Sequence, residues 1–62
     1  MKDMVAHLEK LRADAAECAL IRDLATDPRK RQLFAMLAEH LSTLAATVET
    51  EVAAATKGDK AD

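Results

Sequence analysis

Asp27-Pro28 divides the chain into two stretches with apolar residues at helical spacing, and no other feature restricts the fold as much. Aspartate is a preferred N-cap, and proline fits the first helical position, where its missing N–H would have had no intrahelical partner. Proline also drives the preceding residue out of the α region, so an upstream helix has to stop by about Thr26. The chain therefore reads as helix, very short turn, helix. It is an all-α antiparallel two-helix hairpin.

The first helix is expected over about residues 3–25, with the turn at 26–27. Met4, Leu8, Leu11, Ala15 and Cys18 alternate steps of four and three and share one face. Past Cys18 the strict pattern lands on Arg22, so Ile21 and Ala25 are expected to carry the stripe onward. The second helix is expected over about 28–56. Phe34, Leu37, Leu41, Leu44 and Val48 keep the same rhythm, with Ala38, Ala45 and Val52 widening the stripe as in a bundle helix. Glu51 continues the row, so tight packing should give out there. Lys57-Gly58-Asp59-Lys60 reads as a helix stop, and 58–62 as a flexible tail.

In an antiparallel hairpin turning near Asp27, residues whose numbers sum to roughly 55 share a level. This places Leu8 near Val48, Leu11 near Leu44, Ala15 near Leu41, and Cys18 near Leu37. Ile21 and Ala25 fall near Leu33 and Phe34. Ala6, Ala13, Leu20 and Leu24 lie behind the first helix, and Met36 and Ala46 flank the second, so one hairpin leaves them unexplained.

At 62 residues, with one aromatic residue and many small alanines, the chain is near the lower limit for folding on its own core. One narrow seam between two helices covers little apolar surface. Association of two hairpins into a four-helix bundle is the expected remedy. Leu8, Leu11, Cys18, Phe34, Leu37, Leu41, Leu44 and Val48 would carry the core and the oligomer interface.

Other side chains offer little chemistry. Cys18 is the lone cysteine, which excludes an intrachain disulfide, and its mid-helix place on the apolar face reads as a small buried hydrophobe. His7 and His40 fall on different helices without zinc-ligand spacing, so no metal or other cofactor is expected. Arg29-Lys30-Arg31 is the only concentrated basic run. Cations at a helix N-terminus oppose the dipole, and Asp23 and Asp27 are the nearby compensation. As a nucleic-acid contact, three cations in a chain of net charge −2, without an aromatic platform, leave a weak footprint. Tyrosine, tryptophan, asparagine and a glycine-rich loop are all missing, and the serine and threonines have no histidine–aspartate partner. The reading is non-enzymatic, with no catalytic residues. Interspersed charges and the lack of any long apolar run point to a cytoplasmic protein without a membrane span.

The elements Ala16-Glu17-Cys18, Asp27-Pro28 followed by Arg31, and Leu37-Ala38-Glu39-His40-Leu41 through Leu44-Ala45 form a pattern together. It resembles that of short helical-hairpin proteins of rhizobia and related alphaproteobacteria: A-x-E-C, a spacer, D-P-x-x-R, then L-A-E-x-(W or L)-x-x-L-A. The likeness covers about residues 15–49. Many of those proteins carry tryptophan where this chain has Leu41. The resemblance implies the hairpin and supplies no catalytic or binding residues, since that family has no assigned biochemical activity. In architecture alone the chain is also similar to the Rop proteins of plasmid copy-number control, antiparallel four-helix dimers that bind paired RNA loops.

The resulting expectation is a self-associating helical interaction or adaptor module whose partner is a second copy, with an unidentified protein as a further candidate. An RNA-binding regulator using Arg29, Lys30 and Arg31 is the alternative.

Overall fold

A computed structural model describes the backbone of residues 2–61 and the side chains of residues 3–55. Two helices account for it: α1 (Lys2–Leu24) and α2 (Pro28–Ala61), packed against each other as a hairpin. The break falls where the sequence places it. Asp27 Oδ1 accepts from the Arg29 N–H at 3.1 Å, the N-cap bond, and the Asp27 carbonyl accepts the first intrahelical bond from Arg31 N–H at 2.9 Å. Ala25 N–H still donates to the Ile21 carbonyl at 2.9 Å, so helical bonding in α1 lasts one residue past its last turn.

Along α1 the expected face is the buried one. Leu8 and Ala15 are buried, and Met4, Leu11 and Cys18 are half-buried. Beyond Cys18, Ile21, Arg22 and Ala25 are all half-buried, so both the strict and the rotated rows take part near the turn.

On α2 the seam keeps Phe34, Leu41 and Val48 of the expected row together with the widening residues Ala38, Ala45 and Val52, and leaves out Leu37 and Leu44. Phe34, Ala38, Leu41, Ala45, Val48, Val52 and Ala55 alternate steps of four and three without a fault, and each is buried or half-buried. Ala38 and Ala45 are the most buried, at 6% exposure, whereas Leu37 and Leu44 stand at 36% and 52%. The buried positions expected for Leu37 and Leu44 are therefore taken by the alanines one residue further on. The reason is steric. Interaxial distance between packed helices depends on the side chains at the contact, and alanine permits the closest approach. A neighbouring residue is rotated by about 100° around the helix, so the leucines swing onto a flank.

Arg12 and Glu49 form an ion pair between the helices, which marks the other flank. On α1 a second pair joins Lys10 Nζ to Asp14 at 3.6 Å within one turn. α2 continues past the end expected near Thr56, its backbone helical through Gly58. One glycine costs a helix only about 1 kcal/mol relative to alanine, too little to force a stop. The expected flexible tail, 58–62, lies outside the residues whose side chains are described.

The hairpin is slender. Its radius of gyration is 14.8 Å, against about 11 Å for a compact domain of this length. Its accessible surface is 4890 Å², while a folded monomer of this mass exposes about 3,900 Å².

Candidate interaction surface

Rotation of α2 onto its alanines leaves Leu33, Leu37 and Leu44 exposed, at 50%, 36% and 52%. With exposed His40 among them they follow steps of four, three and four, which makes one continuous stripe beside the seam. From α1 the same side receives half-buried Ile21 near the turn, then half-buried Asp14 and exposed His7. The flank is therefore apolar over α2 and becomes polar along α1. On the opposite flank Arg12 and Glu49 are both exposed and paired. Two sides of one hairpin thus differ in chemistry: one closed by an ion pair, the other apolar.

Further exposed apolar residues lie on the outer faces of the two helices, on opposite sides of the hairpin. Leu20 and Leu24, one turn apart on α1, are 58% and 72% exposed, and Met36 on α2 is exposed as well. These face away from the seam.

The basic corner has a local structural job. Arg31 sends Nε and one terminal nitrogen to the Ala25 carbonyl, at 3.3 and 3.0 Å, satisfying an acceptor at the end of α1. A cation there meets the negative end of the α1 dipole, which is favourable placement. Asp23, one of the two compensating acids expected for this corner, instead accepts from Arg22 Nε at 2.9 Å. That hydrogen bond, with the charge of Asp23, raises the Arg22 pKa. Asp27 serves through its N-cap bond. The remaining cations of the run, Arg29 and Lys30, project from the start of α2 and are exposed.

Sequence-selected polar residues do not converge. His7 lines a shallow depression with Asp3, Ala6 and Lys10, all from one face of α1, so it is a groove on a single helix. His40 sits on α2, and Cys18 is half-buried in the seam. Among the described residues no three histidine, cysteine or acidic side chains gather as metal ligands, and no helix is long and apolar enough to cross a membrane. Thr47 and Thr50 hydroxyls donate to the carbonyls of Thr43 and Ala46, one turn back in their own helix. What the surface offers is shape and apolar area.

Comparison with family models, with curated proteins and with solved structures finds no match to this chain.

Proposed function

We propose that this protein is a non-enzymatic, cytoplasmic interaction module that acts as a self-associated helical hairpin, two copies forming a four-helix bundle. The observation that carries this reading is the Leu33–Leu37–Leu44 stripe, three exposed leucines on one side of α2, interrupted by His40, beside an intact seam. Complete burial of a leucine contributes about 1.5–3 kcal/mol, and with these side chains already about half covered, roughly half of that per leucine is left to favour docking of a second hairpin. The size of the exposed surface supports the same conclusion. The chain exposes about 1,000 Å² more than a compact monomer of its mass, and a standard interface removes about 800 Å² from each partner. An RNA-binding role is less well supported, because Arg31 is engaged at the turn and only Arg29 and Lys30 are left to meet phosphate.

Sedimentation equilibrium tests the reading. The chain should run as a dimer at micromolar concentration. Leu37→Glu and Leu44→Glu together should give a monomer that keeps part of its helical circular dichroism, since both side chains lie outside the intrachain seam. A wild-type chain that sediments as a folded monomer would refute it.

A further inference from the structure

The exposed stripe of α2 is bounded by charges of opposite sign. Lys30, Leu37, Leu44 and Glu51 recur at intervals of seven, so they occupy one helical position in four successive heptads. Lys30 and Glu51 are exposed, and neither takes part in an ion pair among the described residues. Reversed end to end, this row matches itself in opposite charge. Leucines show that the surface is fit for burial; the charged ends discriminate between orientations.

Resting on the self-association proposed above, we infer that the occupant of this stripe is the α2 stripe of a second copy, running antiparallel about a two-fold axis near residues 40 and 41. A two-fold contact uses the same patch on both subunits, so each pairing occurs twice. In this arrangement residues whose numbers sum to 81 come opposite each other. Lys30 meets Glu51 of the second copy, Leu37 meets its Leu44, and the same two pairs recur on the other side of the axis. A parallel arrangement also sets leucine on leucine, but it places Lys30 against Lys30 and Glu51 against Glu51. Like charges at both ends oppose that orientation, and like-charge juxtaposition is a common means of excluding a wrong pairing.

The contact is centred on α2 because α1 brings little apolar area to this side. Ile21 is its one aliphatic residue there, with Asp14 and His7 further along. The Arg12–Glu49 flank is the poorer alternative, since its charges already satisfy each other within one chain. Leu20 and Leu24 face away from both flanks and stay uncovered in this dimer.

Cross-linking of single-cysteine chains separates the outcomes. In a Cys18→Ala background, His40→Cys and Thr47→Cys put a thiol at the same heptad position, one heptad apart. Near the axis, His40→Cys should cross-link to its own mate with a short bismaleimide. Thr47→Cys should not, because its mate lies about 20 Å away along the helix axis. Cross-linking at both sites would mean parallel helices and overturn the inference. A dimer by sedimentation that cross-links at neither site would place the contact on another face and also overturn it. A chain that sediments as a monomer would remove the proposed self-association itself. Charge reversal gives an independent reading: Lys30→Glu should weaken the dimer about tenfold at low salt, and adding Glu51→Lys should restore it. Unchanged affinity in the single variant would contradict the antiparallel pairing.

Discussion

Replacing Ala45 by leucine should destabilise the hairpin, although it adds apolar volume to the core. Ala45 is 6% exposed on the seam of α2, where a buried position of this kind has room only for a methyl side chain. Three additional carbons have to be accommodated by separating the axes or by an off-rotamer side chain, a penalty of about 1–3 kcal/mol. In a chain this short, each 1 kcal/mol lowers the melting temperature by about 4–8 °C. The loss is a large share of a total that scales as about 0.05–0.15 kcal/mol per residue. Leu44→Ala is the matched control, one residue away. Leu44 is 52% exposed in the single hairpin, so its truncation should barely move the melting temperature of dilute monomer. At concentrations where the chain associates, the same truncation should lower it, because melting of a dimer depends on concentration. Thermal unfolding followed by circular dichroism at two protein concentrations gives all four values. A neutral or stabilising Ala45→Leu, or a large loss from Leu44→Ala in dilute monomer, would mean that the leucine row is the true seam.

Two other expectations are narrower. Asp27→Ala removes the N-cap bond to the Arg29 N–H and should cost about 1 kcal/mol in urea unfolding, while Asp27→Asn retains most of it. A double-mutant cycle on Arg12 and Glu49 should return a coupling of only about 0.2–1 kcal/mol that fades in high salt, because both side chains are more than half exposed; a larger, salt-resistant coupling would mean that this flank is covered.

The break between the helices was legible because its cause is local. An N-cap aspartate followed by proline restricts backbone torsions whatever surrounds it, and the turn falls there. The α1 face was legible for a similar reason: Met4, Leu8, Leu11, Ala15 and Cys18 make an unbroken apolar row of alternating four and three on that part of the helix. The surface ends of the stripe were half visible. Lys30 reads as a member of a basic run and Glu51 as the end of a core row, and their spacing of seven from Leu37 and Leu44 is the signal that joins them.

On α2 two rows compete, one through Leu37 and Leu44 and one through Ala38 and Ala45, a residue apart. Hydrophobicity alone ranks leucine above alanine, which is why the sequence puts Leu37 and Leu44 at the centre of the stripe and Ala38 and Ala45 at its edge. Which row faces α1 depends on how close two helices can come and how each is rotated, and those are properties of the pair. Helix type, chain reversal and the boundary between the helices came from the sequence, through torsional and capping preferences carried by single residues; the end of α2 did not. Assembly of the hairpin decided that alanines close the seam and leucines are left outside it, because close approach along the whole interface outweighs the larger area of a few side chains.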